Sequence, residues 1–347
     1  MQTVERITPN ELIIMGEVEA FYAYVSEPSK RLVAPTFDSS FKKLGDVFNE
    51  YSEYSWKYNF TDKVYEKVSV PSDNRLILTF SGGKDSIATA LKYKAQGYDV
   101  RLYHMKHINP SFSDEWESAV KAAELLELPI FIDDIKFHGH HMWMEHPMKN
   151  MIIANGALSY GIREGIGTRL AFGNYTTSFL EDNAFDRCAG DCVDMWEAYI
   201  NIIRRQVEDF EVISCITNMT ETLEVISKRP DLFDASLSCL CRHSLRDYRK
   251  SWVLKKFGVD LPEKRCGSCY KCAIEYIYRV DHDLVELNEG YYKYCLNQLY
   301  RNGISMGERA TTLPELWDDN FDYAMTDSKM YKEMNNTYMM TRDILWL

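Results

Sequence analysis

Apolar and polar residues follow one another along the middle of this chain in a pattern that predicts strands and helices in turn. Short apolar runs at 76–80, 100–104, 130–132, 169–172 and 211–216 predict strands, and helical spacing predicts helices at 87–96, 114–126, 152–164 and 193–205. Strands that alternate with helices are typical of a parallel sheet whose ligands bind at the carboxyl ends of its strands. The pattern therefore predicts an α/β fold with a doubly wound parallel sheet.

The first 75 residues carry no glycine-rich or catalytic motif. Apolar periodicity predicts helices at 11–25 and 41–48, and the aromatic-rich stretch at 51–60 is interpreted as a packing surface. A turn cluster at 71–74 separates this region from the first strand of the sheet. We therefore predict an N-terminal extension at 1–75, a main domain at 76–285 and a C-terminal extension at 286–347.

Composition and charge narrow the class of protein. The 347 residues carry a formal net charge of -12 and nine cysteines, and this acidity argues against non-specific binding to duplex DNA. No apolar run reaches the roughly 18 residues that a membrane span needs, and the first residues do not resemble a secretory signal. We expect a cytoplasmic protein with reduced thiols, so the cysteines need an explanation other than disulfides.

A glycine-rich loop stands between the first strand of the sheet and the next helix. It reads Ser81-Gly82-Gly83-Lys84-Asp85-Ser86. Two glycines allow a tight turn and a close approach to a ligand, and the N-terminus of a helix favours an anion. The serine hydroxyls and the lysine charge add to this preference, and the spacing is too short for a GxxxxGK[ST] loop. The loop predicts a phosphate site.

This hexapeptide resembles the SGGxDS signature of the PP-loop ATP pyrophosphatases, whose fold is Rossmann-like (adenine nucleotide alpha hydrolase-like). Members cleave ATP between the α and β phosphates and adenylate a substrate oxygen. The resemblance implies that residues 81–86 hold the pyrophosphate, with Lys84, Asp85 and Ser86 as the catalytic candidates. It also implies that His104, with Met105 beside it, lies near the adenosine.

Three cysteines at 266, 269 and 272 form two interleaved CxxC spacings. In a reduced compartment such spacing indicates Zn²⁺ bound by thiolates, and Cys239 or Cys241 would supply the fourth ligand. A site with four protein ligands is structural, because it leaves no open position for chemistry. A redox-active CxxC pair and an iron–sulfur cluster are the alternatives. The sequence thus predicts zinc ligands at Cys266, Cys269 and Cys272.

The loop and the cysteines together resemble the 7-cyano-7-deazaguanine synthase family, which makes a nitrile in the synthesis of queuosine precursors. Further segments match in order: Pro147-Met-Lys149-Asn150 resembles P-x-R-N, Ala171-Phe-Gly173-Asn174 resembles a strand end at the active site, and Asp191-Cys192 resembles an Asp-Cys step. The resemblance implies substrate contacts at Lys149, Asn150 and Asp191, an ATP contact at Gly173, and Cys239 rather than Cys241 as the zinc ligand.

The chain also departs from that family. Lys149 stands where arginine is usual, and the gap from Cys239 to Cys266 indicates an insertion around 243–261. A Thr-Lys step after the fifth strand is not evident, and neither extension has a counterpart in the compact enzyme. These differences bear on the identity of the substrate more than on the adenylating chemistry. Relatives with such extensions occur in phage genomes and anti-phage systems.

The resemblance implies an ATP-dependent C–N ligase that uses ATP, Mg²⁺ and Zn²⁺. A carboxylate on a 7-deazaguanine-type base would be adenylated, and ammonia, taken free or from a partner, would displace AMP to give an amide that could be activated again to a nitrile. The alternatives are a tRNA or nucleobase thiolation enzyme, and a non-catalytic nucleotide-binding protein. Three interpretations are kept for the histidine-rich stretch at 137–146, namely a substrate lid, a metal site and surface packing. Residues 321–347 are interpreted as packing against the domain, as a surface for self-association as a homodimer, or as a surface for another partner.

Overall fold

The computed structural model describes residues 12–25, 34–51, 56–106, 115–133, 149–173, 193–214, 219–237, 239 and 243–305. The chain divides into two compact units, each made of separate stretches of sequence. The first unit comprises Met1–Phe80, Thr89–Lys106 and Leu126–Ile216. The second unit comprises Ser81–Ala88, His107–Leu125 and Thr217–Leu347. The domain bounds at 76 and 285 stay a prediction.

Seven strands and eleven α-helices are present among the described residues. The strands are β1 (Thr36–Asp38), β2 (Asn59–Thr61), β3 (Arg75–Thr79), β4 (Asp99–Met105), β5 (Ile130–Asp133), β6 (Arg169–Phe172) and β7 (Glu211–Ser214). The helices are α1 (Ile13–Val25), α2 (Lys42–Tyr51), α3 (Lys84–Ala95), α4 (Glu115–Leu126), α5 (Lys149–Arg163), α6 (Val193–Ile203), α7 (Met219–Ser227), α8 (Pro230–Ala235), α9 (His243–Phe257), α10 (Tyr270–Asp281) and α11 (Glu289–Ser305).

The main sheet of the first unit has five strands in the order β5-β4-β3-β6-β7, and every pair is parallel. Leu78 of β3 is in register with Leu102 of β4 on one side and with Ala171 of β6 on the other. This confirms the predicted mixed α/β class with a parallel sheet. The strand order reverses direction at β3, which is consistent with a Rossmann-like, doubly wound arrangement.

The core of the first unit joins the N-terminal helices to the sheet. Helix α5 packs on β3, β4 and β6, and α1 packs on α5 and α6. Phe21 of α1 is fully buried and its ring contacts those of Phe37, Phe41, Phe48 and Tyr58. The described part of the aromatic stretch at 51–60 therefore packs as the sequence indicates.

The described residues of the second unit contain helices and loops but no strand. Helix α9 occupies most of the insertion expected around 243–261, and α10 packs against α11. Across the described part of the chain, we find no helix with both the length and the apolar character that crossing a membrane requires.

Candidate functional site

The glycine-rich loop makes a tight turn in the second unit. Gly82 has φ +73°, a backbone conformation that side chains with a Cβ rarely adopt. A Cβ placed on Gly82 would lie 2.5 Å from the backbone nitrogen of Ala119 in α4. Both the turn and the close approach of α4 therefore require glycine at this position.

The two serine hydroxyls hold the loop in shape. Ser81 Oγ accepts a hydrogen bond from the Gly83 nitrogen at 3.2 Å, and Ser86 Oγ donates to the Gly83 oxygen at 3.0 Å. Helix α3 begins at Lys84, three residues earlier than the sequence predicts, and Ile87 N donates to Gly83 O at 3.0 Å. Lys84, Asp85 and Ser86 thus form the first turn of a helix, where backbone N–H groups favour an anion.

Two lysines bring positive charge to this turn. The Lys84 side chain is fully buried, and its Nζ lies 3.4 Å from Asp85 Oδ2. Lys271 of α10 is within electrostatic range of both residues: burial and the Lys84 charge lower the pKa of Lys271, and Asp85 opposes them. Cys269 and Glu275 act on the pKa of Lys271 in the same direction as Asp85, so negative groups of the protein itself lie within electrostatic range of this lysine. Sequence reasoning missed Lys271 because it identified the Cys-x-x-Cys segment by its thiols alone.

The four-cysteine cluster consists of Cys239, Cys266, Cys269 and Cys272, whose sulfur atoms all lie within 4.8 Å of one another. The sulfur–sulfur distances are 4.0 Å for Cys239–Cys269, 4.0 Å for Cys266–Cys272 and 3.5 Å for Cys269–Cys272. Tetrahedral zinc with Zn–S bonds of about 2.3 Å requires sulfur–sulfur separations of about 3.8 Å. The cluster could therefore hold a metal ion such as zinc.

Local structure explains how the three closely spaced cysteines converge. Gly267 has φ +68°, and a Cβ on it would meet the Leu261 side chain at 2.2 Å, so the turn after Cys266 depends on glycine. Cys269 is the N-cap of α10, which places Cys272 on the first turn of that helix. Hydrogen bonds from the other three thiols lower the pKa of Cys266, whereas hydrogen bonds from Cys239 and Cys266 raise the pKa values of Cys269 and Cys272, so a bound cation would be needed to keep all four thiols deprotonated.

His104 lies at the carboxyl end of β4 in the first unit and is 3% exposed. Its Nδ1 is 2.8 Å from the Phe80 carbonyl oxygen, which can only accept, so Nδ1 carries the proton. Burial lowers the pKa of His104, which keeps the ring neutral and leaves Nε2 as an acceptor. Among the described residues, Nε2 has no hydrogen-bond partner.

The other predicted site residues are only partly within the described chain. Gly173 directly follows β6 and is half-buried, and Asn150 is half-buried in the first turn of α5. Lys149 begins α5, but its side chain lies outside the described residues. Asp191, Cys241 and the histidine-rich stretch at 137–146 also lie outside them.

Comparison with known proteins finds similarity among solved structures but no matching sequence family. No protein family model matches this sequence, and no curated protein matches it either. The crystal structure of a predicted subunit of tRNA methyltransferase from Methanocaldococcus jannaschii is similar at a TM-score of 0.26 and 18% identity, covering 55% of this chain and 91% of that chain. A likeness this weak carries no argument about function.

The fold and the site together define a class. The chain is a mixed α/β protein with a five-stranded parallel sheet, and its second unit carries a glycine-rich loop and a four-cysteine cluster that could hold a metal ion such as zinc.

Proposed function

We propose that this protein binds ATP through the loop at 81–86 and cleaves it to AMP and pyrophosphate. The observation that carries the proposal is the geometry of the loop. Gly82 turns in a conformation that requires glycine, Gly83 leads into α3, and Lys84 lies at the start of that helix. Backbone N–H groups at a helix start, together with buried positive charge, favour a phosphate chain.

The roles within the loop follow from its chemistry. Lys84 would offset negative charge on the phosphates, and the Ser81 hydroxyl, which accepts from Gly83 N, would keep its own proton to donate, whereas Ser86 donates its proton to Gly83 O and supports the turn. Mg²⁺ bound with ATP would neutralise further phosphate charge, and Asp85 offers it a carboxylate oxygen. His104 and Gly173 are the residues that we propose for the adenosine, with His104 Nε2 as the acceptor.

The acceptor that we propose is a carboxylate on a 7-deazaguanine-type base. A carboxylate is a poor electrophile, so its oxygen must first become a leaving group. Attack of that oxygen on the α-phosphorus breaks the bond to the β-phosphate, releases pyrophosphate and forms an acyl adenylate. Ammonia then displaces AMP and leaves an amide. A second ATP adenylates the amide oxygen with release of pyrophosphate, and loss of AMP and a proton gives the nitrile. Lys149, Asn150 and Asp191 are the proposed substrate contacts.

The proposed metal at the four cysteines is Zn²⁺ in a structural role. Four thiolates fill a tetrahedral shell and leave no position open for a substrate or water. Three of the ligands lie within seven residues, whereas Cys239 comes from a separate segment. The metal would therefore link the segment around Cys239 to the start of α10.

The test supplies ATP, Mg²⁺, ammonia and 7-carboxy-7-deazaguanine to the full chain and follows AMP and the nitrile product. We expect both products from the native protein, a large loss of both in Lys84→Gln, and no loss in Lys121→Gln, which removes an exposed lysine of α4. Pyrophosphate release without amide or nitrile would refute the acceptor and retain the nucleotide chemistry. If the native protein neither binds nor cleaves ATP, the proposed function is wrong.

A further inference from the structure

Arg265 is a buried arginine that directly precedes Cys266 in the sequence. Its hydrogen bonds go to groups outside the four-cysteine cluster. The side chains of Arg265 and Glu275 are each 3% exposed, and Arg265 Nε donates to Glu275 Oε2. Glu275 lies on α10, the helix that begins at the cluster. A charged pair this deeply buried is costly to form unless further hydrogen bonds satisfy its remaining donors. The other partners of the guanidinium therefore matter.

The remaining nitrogens of Arg265 bind the end of α8. Nη1 donates to the carbonyl oxygen of Ser236, and Nη2 donates to Ser236 Oγ at 2.8 Å and to the Phe233 carbonyl oxygen at 3.2 Å. The guanidinium also lies 5.1 Å from the centroid of the Phe233 ring. A planar fork of donors can satisfy these acceptors at once, which a lysine ammonium cannot do.

The residue after Ser236 contacts the glycine-rich loop. Leu237 N donates to Gly82 O at 3.0 Å. The Leu237 carbonyl oxygen approaches so closely that a Cβ on Gly83 would lie 3.2 Å from it. Leu237 therefore contacts both glycines of the loop. Its own position depends on Ser236, the preceding residue, to which Arg265 donates hydrogen bonds.

We propose that Arg265 is a positioning residue for the glycine-rich loop. It fixes Ser236, Ser236 fixes Leu237, and Leu237 holds Gly82 and Gly83 in the conformation from which α3 begins. Arg265 touches neither ATP nor the loop itself. Its effect on ATP affinity rests on the proposed function, whereas its effect on the order of the loop does not.

The experiment uses the full chain with its metal bound and three variants. Arg265→Lys keeps the charge opposite Glu275 but loses the fork. The double variant Arg265→Met with Glu275→Leu removes the buried pair without leaving one charge alone. Arg279→Met is the matched control, because Arg279 of α10 also lies over the Phe233 ring, at 4.7 Å, and no hydrogen bond to Ser236 is shown for it.

Hydrogen–deuterium exchange in peptides that cover 80–88 and 233–237 is the first measurement, and ATP affinity and metal content are the second. We expect exchange in both peptides to rise roughly tenfold in the two Arg265 variants and not in Arg279→Met, with metal content unchanged. ATP should bind roughly tenfold more weakly, with KM raised and kcat largely retained.

The proposal is overturned if exchange at 80–88 stays at the native rate in both Arg265 variants, or if it rises equally throughout the chain. A native protein that does not bind ATP would instead refute the proposed function, and the exchange at 80–88 would still decide the role of Arg265.

Discussion

The substitution Gly82→Ala tests the loop geometry most directly. An L-residue at φ +73° costs about 1–2 kcal/mol in the folded state. The added methyl would also lie 2.5 Å from the Ala119 nitrogen, and because that atom belongs to helix backbone, α4 or the loop must shift. Overpacking of this kind costs about 1–3 kcal/mol, which gives a total of about 2–5 kcal/mol.

Gly258→Ala provides the matched control, because Gly258 has the same φ of +73° and nothing within 4 Å of the added Cβ. It isolates the backbone strain, about 1–2 kcal/mol, from the steric clash. At about 2–4 °C per kcal/mol, thermal unfolding followed by circular dichroism should show a fall in Tm of about 2–8 °C for Gly258→Ala and about 4–20 °C for Gly82→Ala. Equal falls in Tm for the two variants would show that α4 does not approach the loop this closely.

Three further predictions concern the metal and two carboxylates. Cys272→Ser should abolish stoichiometric zinc binding, measured by atomic absorption, and lower Tm. Cys295→Ser changes a buried cysteine outside the cluster and should keep one zinc per chain. Equal zinc loss in both variants would contradict the assignment. Burial raises the pKa of Asp281 to about 6, so the charged form is disfavoured in the fold and stability is lost as pH rises through that value. Asp281→Asn should therefore gain Tm over the native chain as pH rises from about 4 to about 7, and a constant difference would contradict this. Burial raises the pKa of Asp38, but hydrogen bonds from Ser40, Lys63 and Arg205 outweigh burial, and the net pKa is lowered. The charged Asp38 therefore stabilises the fold above about pH 3.8, and this stabilisation is lost as pH falls through the lowered pKa of the folded state. Asp38→Asn should cost about 1–3 kcal/mol at neutral pH in urea unfolding, and no change in midpoint would refute this.

Much of the main sheet could be predicted because its strands are buried and short. Leu76, Ile77 and Leu78 are at most 1% exposed, and such a run is apolar on both faces of a strand. The cysteine spacing likewise predicts the cluster, because ligands that are close in sequence can reach one metal ion through local backbone structure alone.

Other features depend on contacts that the local sequence does not encode. Strands β1 and β2 have three residues each, too few for an alternating pattern to stand out. The predicted start of α3 was late because Lys84 and Asp85 are polar, although Lys84 proves fully buried. Arg265 reads as an ordinary charged residue in the sequence, and its role emerges only when Ser236 and Glu275 are brought to it by the fold.

The division of the chain has a consequence for its synthesis. Leu237 and Gly82 lie nearly half the chain apart, and the second unit draws its loop from an early stretch and most of its helices from a late one. During translation the loop leaves the ribosome long before Ser236, Arg265 and the cysteines exist to hold it. A nascent or truncated chain that stops before residue 275 would therefore carry the glycine-rich motif without its support, and we expect the proposed binding of ATP only after the late segment has been made.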